Sequence, residues 1–259
     1  MNPKDADTDQ EQTFLEHLVE LRSRLLKACL AVLLVLVAIL PFSRHLYALM
    51  AAPLMAHLPE GSSMIAIDVA SPFLTPFKLA LLLALVISIP VVLYQVWAFV
   101  APALYRHEQK LARPLLYTSV VLFYAGCAFA YFVVFPLIFG FFTRVAPEGV
   151  AVMTDISKYL DFVITLFLAF GVTFEVPIAT IILVATGVTT VKKLGEYRAY
   201  VLVGAFALGM LLTPPDVISQ TLLALPMWLL FELGLVMARI LLPDKAEQEE
   251  GGEETQASN

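Results

Sequence analysis

Apolar positions dominate this chain and fall into six runs separated by short polar segments. A helix of about 20 residues crosses a hydrocarbon core about 30 Å thick. We therefore predict an all-α integral membrane protein whose spans cover about 25–42, 79–100, 115–142, 160–187, 200–212 and 217–240. The fifth run would reach only about 20 Å as a helix. We expect short fifth and sixth spans that thin the bilayer locally.

Composition supports this class. Hydrophobic residues make up 60 % of the chain and charged residues 15 %, with a mean hydropathy of +0.84. A soluble domain carries about 25 % charged residues. Cys29 and Cys127 both lie in apolar runs without metal or redox spacing. The net charge of −6 is misleading, because much of the acid lies in the last sixteen residues, but the lack of a dense basic patch argues against a nucleic-acid partner.

The two ends of the chain differ from the middle. We predict a disordered polar tail over 1–12 and a disordered acidic tail over 243–259 that flank a membrane domain over 13–242. Residues 13–27 have helical periodicity, and Thr13 with Glu16 fits a capping box. This segment is predicted to be an amphipathic helix at the membrane surface that runs into the first span.

Orientation follows from the basic residues of the loops. Of the 16 lysines and arginines, four fall on one side of the predicted membrane, namely Arg44, Lys78, Arg144 and Lys158. The remaining twelve fall on the other side. Both termini are therefore expected to be cytoplasmic.

Glu175 is the most unusual residue of the apolar runs, because it lies in the fourth one with Pro177 two residues later. A carboxylate at that depth costs a few kcal/mol or more unless it is neutral, paired, hydrated or buried against protein. Pro177 loosens the backbone hydrogen bonds at the same level. Two interpretations stay open, a protonated glutamate bonded to a neighbouring helix, or a polar site that faces a cavity or a partner helix.

No enzymatic motif is present, since the chain has no Walker loop, HExxH, GxSxG or GxGxxG. The four histidines lie at predicted membrane faces and are not grouped. We predict no catalytic residues, no metal and no cofactor, so any work must be driven by a gradient or by partners.

Two further carboxylates lie on the predicted cytoplasmic side, Glu20 in the amphipathic helix and Glu108 after the second span. Nearby lysines and arginines could simply neutralise them. Alternatively, they could bind a pair of arginines, because a carboxylate meets the planar guanidinium with two hydrogen bonds that lysine cannot reproduce. Phe99 would then supply an apolar floor.

Six stretches carry a close resemblance to a known family: HLVELRSRLL (17–26), PEGSSMIAIDVASPF (59–73), LYQVWAFVAPALYRHE (93–108), FAYFVVFP (129–136), FGVTFEVP (170–177) and GMLLTPPDVISQTLLALP (209–226). In order and over 17–241, they resemble TatC, the polytopic core of the twin-arginine protein translocase. The resemblance implies a concave, glove-like bundle of six spans in the cytoplasmic (inner) membrane of a bacterium.

The family's properties imply roles for particular residues. The twin-arginine signal peptide of a folded export substrate would bind at Glu20, Arg22, Phe99 and Glu108. Glu175 would meet a polar group on a partner's single helix. The partners TatB and TatA would dock near Met210, Thr213, Asp216 and Gln220. Pro53 and Asp68 would belong to the periplasmic cap.

Together, these expectations describe a signal-peptide receptor that exports folded proteins with TatA and TatB, present in multiple copies and driven by the proton gradient. The signal would first dock on Glu20 and Glu108, and partner helices would then gather around spans four to six. Two alternatives differ in class. A secondary transporter would use Glu175 for a small solute or ion, but the halves show no convincing repeat. A passive membrane scaffold would bind no selective ligand.

Overall fold

The structure is a computed structural model that describes residues 3–55, 64–100, 112–145, 154–212 and 217–243. Side chains are described within these ranges from residue 18 onward, except at 52–55, 142–145, 218 and 219. The described residues are almost entirely helical, and their single pairing of extended backbone is an isolated bridge between Ile65 and Asp155.

The first helix, α1, covers Pro3–Ile39 and contains both the predicted amphipathic helix and most of the first span. The backbone is helical from Pro3 onward, so α1 includes most of the segment 1–12 for which disorder is predicted. Acidic residues near a helix start favour this, because they complement the positive end of the helix dipole. A 3₁₀ turn at Leu40–Phe42 then leads into α2, Ser43–Met55.

The helices that contain the next two predicted spans extend beyond the predicted bounds. Helix α3 covers Ser71–Val100 and keeps Pro76 and Pro90 inside it. Helix α4, Ala112–Phe129, passes through a π-helical turn at Ala130–Val134 into α5, Phe135–Val145.

The fourth predicted span consists of two helices, α6 at Ile156–Thr173 and α7 at Val176–Ala185. The interruption falls just before Pro177, which has no N–H to donate to the preceding turn. The short helix α8, Val191–Glu196, then leads to α9, Arg198–Leu212, and α10, Val217–Leu241.

Within the described residues, five helical stretches are long and apolar enough to cross a membrane, and Arg198–Leu212 is a shorter apolar helix. The prediction of a short fifth span therefore agrees with α9, which has 15 residues. The prediction of a short sixth span is wrong, because α10 has 25 residues. The helix continues past Glu232, whose carboxylate pairs with Arg198 of α9.

Glycines set the distance between helices at the centre of the bundle. A Cβ atom on Gly126 of α4 would lie 2.5 Å from the Phe170 carbonyl oxygen of α6. A Cβ atom on Gly171 would lie 2.7 Å from the Phe123 ring. A Cβ atom on Gly234 of α10 would lie 2.9 Å from the Pro177 Cα atom. These contacts bring α4 and α10 close to α6 and α7, on either side of the Glu175 interruption.

The segment before α3 is tied to the start of α6. The Ile65 N–H donates to the Thr154 carbonyl at 3.0 Å, and the Ile156 N–H donates to the Ile65 carbonyl at 2.9 Å. The Asp155 side chain accepts from the Ile67 N–H at 2.9 Å and caps α6 through Ser157 and Lys158. One carboxylate thus joins two segments that are far apart in sequence.

Candidate functional site

Glu175 lies at the interruption between α6 and α7, where the backbone stays close to helical. Its N–H donates to the Val172 carbonyl, and its own carbonyl accepts from Ala179. The Ser119 hydroxyl of α4 donates to Glu175 Oε2. The other carboxylate oxygen, Oε1, is buried and has no partner among the described residues.

Both sequence interpretations of Glu175 find some support in this geometry. The bond from Ser119 is a contact with a neighbouring helix, as the first interpretation requires. The side chain is only partly buried, and Oε1 still has unused acceptor capacity. A buried polar atom without a partner costs free energy. A donor from another polypeptide or a water molecule would therefore stabilise the site.

At the other site, Glu20 forms an ion pair with Arg24 on the next turn of α1. The Arg24 Nη2 and Glu20 Oε1 atoms are 3.0 Å apart, and Arg24 Nη1 reaches Gln95 Oε1 of α3 at 3.5 Å. The side chain of Glu20 remains 37 % exposed. Neutralisation by a local basic residue, the simpler sequence interpretation, is therefore realised for Glu20.

This ion pair is weak enough to be replaced. Pairs spaced by four residues on a helix contribute about 0.3–0.5 kcal/mol. Both hydrogen bonds from Arg24 end on the same oxygen, Oε1. The Glu20 carboxylate therefore keeps acceptor capacity for a second guanidinium.

The other residues of the predicted signal-peptide site are only partly described. Arg22 is exposed on α1, and Phe99 is half-buried near the end of α3, one helical turn beyond Gln95. Because Arg24 contacts Gln95, the helical turn of α1 that carries Glu20 and the helical turn of α3 that carries Phe99 lie at the same end of the bundle. Glu108 lies outside the described residues, so its predicted proximity to Glu20 stays a prediction.

The predicted partner-docking residues lie on or between α9 and α10. Met210 is 58 % exposed. Gln220 donates from its side-chain amide to the Phe206 carbonyl at 2.8 Å and packs close to Gly209. Gln220 therefore joins α10 to α9 within the chain. Thr213 and Asp216 lie outside the described residues.

The predicted cap residues lie at the opposite end of the bundle from Glu20. Asp68 is exposed, and its carbonyl accepts from the Ser71 N–H at the start of α3. Pro53 belongs to α2, and its side chain lies outside the described set.

Sequence reasoning missed the internal partners of the acidic residues, namely Ser119, Arg24 and Gln95. Arg24 was detectable, because it follows Glu20 by four residues on a helix. Ser119 gave a weaker signal, because it is only a hydroxyl within an apolar run. Nothing in the sequence shows that Ser119 and Glu175 lie at the same level of the bundle. For metal binding, no group of three His, Cys, Asp or Glu residues comes together in the described part of the chain.

The long apolar helices and the partly buried carboxylate between them define a polytopic helical membrane protein. Residues 16–226 match the family described as "Sec-independent protein translocase protein (TatC)". The chain belongs to this TatC family and is thus a component of a protein translocase.

Individual relatives agree with this assignment. The chain is 62 % identical to the TatC protein of Azotobacter chroococcum mcd 1, over 88 % of this chain and 90 % of that protein. It is 55 % identical to TatC of Escherichia coli K12, over 93 % of this chain and 94 % of that protein. A crystal structure of the twin-arginine translocase receptor TatC has a TM-score of 0.77 and 35 % identity, over 86 % of this chain and 98 % of that one.

Proposed function

We propose that this protein is the signal-peptide receptor and core subunit of a twin-arginine translocase, which exports folded proteins with TatA and TatB. We further propose that the protein has six spans and that both termini lie in the cytoplasm of a bacterial cell. The proton gradient would be the energy source. The similar crystal structure is of a protein named as a twin-arginine translocase receptor, which supports the receptor role.

The observation that carries the receptor role is the environment of Glu20. Its side chain is 37 % exposed, and Arg24 lies against it with both of its hydrogen bonds on one oxygen, Oε1. Because guanidinium groups fit carboxylates through two parallel hydrogen bonds, a signal-peptide arginine can take the second oxygen or replace Arg24. Phe99 lies at the same end for apolar contact, and Glu108 would supply the second carboxylate.

Glu175 fits the second stage, in which a partner helix joins the receptor. Its Oε1 atom is buried and has no hydrogen-bond partner among the described residues. A polar side chain on the single helix of TatB or TatA would satisfy that oxygen. The exposed Met210 on α9 would belong to the same docking region.

The test is a pull-down of the protein with a folded reporter that carries an Arg-Arg signal or its Lys-Lys version. We expect retention of the Arg-Arg reporter only. Glu20→Gln should reduce retention, whereas Arg24→Gln should preserve or increase it, because Arg24 competes for the same carboxylate. Equal retention of both reporters would contradict the receptor role, and equal loss in both variants would contradict the role of Glu20.

A further inference from the structure

A cleft opens where the end of α1 and the start of α2 meet the first turns of α3. Its volume is about 340 Å³. It is lined by Leu40, Ser43, Arg44, Pro72, Phe73, Pro76 and Phe77. Pockets that hold small molecules measure about 300–1,000 Å³. The cleft is therefore large enough for a phosphodiester headgroup, and it lies at the opposite end of the bundle from Glu20.

Arg44 gives this cleft a positive charge that no acidic residue in the described part of the chain neutralises. Its side chain is exposed, and among the residues that the structure describes it has no acidic partner. The other described lysines at this end of the bundle lie beside acidic residues. Lys78 binds Asp161 at 2.7 Å, and Lys158 lies beside Asp155. An anion is therefore the ligand that complements Arg44.

The apolar walls indicate what kind of anion this is. Phe73 is 76 % exposed, Phe77 41 % and Leu40 41 %. Phe42 beside the cleft is 65 % exposed. A soluble phosphate makes no use of exposed phenyl rings, but the acyl chains of a lipid cover them. The combination of one arginine, one serine hydroxyl and adjacent apolar surface is complementary to an amphiphilic anion.

We propose that this cleft binds one anionic phospholipid. Arg44 and Ser43 bind its phosphate, and Phe73 and Phe77 contact the upper part of its acyl chains. The guanidinium is suited to this role, because it meets two phosphate oxygens at once. The bound lipid would fill the junction of α1, α2 and α3. Lipid binding here does not depend on signal-peptide binding at the other end of the bundle.

The experiment is native mass spectrometry of the full-length protein in detergent, titrated with phosphatidylglycerol. We expect wild-type protein to retain one phosphatidylglycerol more tightly than further copies and more tightly than phosphatidylcholine. Arg44→Gln should weaken this binding about tenfold, as expected for a lost charge-assisted bond. The matched control is Lys158→Gln, which removes an exposed cation from the same end without touching the cleft, and it should bind as wild type does.

Two further measurements separate lipid binding from a loss of folding. Phe73→Ser should weaken phosphatidylglycerol retention, and because Phe73 is exposed, the substitution leaves the core packing intact. Thermal unfolding in lipid-free detergent checks that Arg44→Gln folds. The proposal is overturned if Arg44→Gln or Phe73→Ser retains the lipid like wild type, or if Lys158→Gln loses it equally. It is also overturned if inorganic phosphate binds as tightly as the lipid does.

Discussion

Ser119 of α4 donates a hydrogen bond to the Glu175 carboxylate, which lies 56 residues further along the chain between α6 and α7. Ser119 is almost fully buried at 1 % exposure. The bond leaves Glu175 Oε1 without a partner among the described residues. It therefore fixes one oxygen of the carboxylate, whereas the other stays buried without a donor among the described residues.

We predict that Ser119→Ala destabilises the protein by about 1–3 kcal/mol, because it leaves a buried carboxylate oxygen without its donor. Thermal unfolding in detergent measures the loss. The same substitution in a Glu175→Ala background should cost much less, since no carboxylate remains to be satisfied.

Ser88 provides the matched control for Ser119. Its hydroxyl is equally buried, at 2 % exposure, but has no hydrogen-bond partner among the described residues. Ser88→Ala should therefore be neutral or slightly stabilising. If both serine variants lowered stability equally, the loss would reflect packing and not the bond to Glu175.

Gly126 tests how closely α4 must approach α6. A Cβ atom there would lie 2.5 Å from the Phe170 carbonyl oxygen, and backbone cannot move aside as a flexible side chain can. We predict that Gly126→Ala destabilises the protein by about 1–3 kcal/mol, as overpacking does in other cores. Chemical unfolding in detergent provides the measurement.

The control for Gly126 is Gly204 of α9, where an added Cβ atom meets nothing within 4 Å. Gly204→Ala should stabilise the helix by up to about 1 kcal/mol, because alanine has the higher helix propensity. A loss at Gly204 equal to that at Gly126 would show that these helices do not tolerate any added methyl group.

Hydrophobic length predicted much of this fold. Five of the predicted runs lie in helical stretches long enough to cross a membrane, and the fifth run lies in the shorter α9. The interruption before Pro177 was predictable too, because proline removes a specific hydrogen bond. The start of α3 at Ser71 was missed, since its first turns are amphipathic and contain Pro72 and Pro76.

The site was less predictable than the fold, because its geometry depends on contacts between distant segments. The unusual position of Glu175 was evident from one carboxylate in an apolar run, but Ser119 became its partner only through the packing of α4 on α6. Similarly, Arg198 became the ion-pair partner of Glu232 only through the packing of α9 on α10.

Asp155 makes the tie between residues 64–70 and α6 sensitive to acid. Hydrogen bonds from the backbone N–H groups of Ile67, Lys158 and Ser157 hold the pKa of the Asp155 carboxyl below its ordinary value of 3.8. The pKa of Asp155 is lower in the folded protein than in the unfolded one. The stabilisation that the ionised carboxylate provides is therefore complete above the unfolded pKa. It is lost as the pH falls through the folded pKa.

We therefore predict that the thermal stability of wild-type protein falls more steeply below about pH 4 than that of Asp155→Asn. Asparagine keeps a hydrogen-bond acceptor at the cap but does not titrate. Unfolding curves of both proteins at several pH values test this. If the stability of both proteins fell in parallel with pH, protonation of Asp155 would not be the cause of the loss.

The ion pair between Arg198 and Glu232 joins α9 to α10 and is predicted to contribute a measurable coupling. Arg198 Nε lies 2.7 Å from Glu232 Oε1, and Nη2 donates to Oε2 at 3.0 Å. The Arg198 side chain is 49 % exposed and that of Glu232 24 %. Solvent screening therefore limits the coupling to about 0.2–1 kcal/mol, the range of exposed pairs.

A double-mutant cycle measures this coupling with Arg198→Gln, Glu232→Gln and the variant that carries both changes. Arg198→Gln should cost more than Glu232→Gln, because it leaves the less exposed charge without its partner. The double variant should be more stable than the sum of the two single losses indicates. Additive losses would mean that the two charges do not stabilise one another.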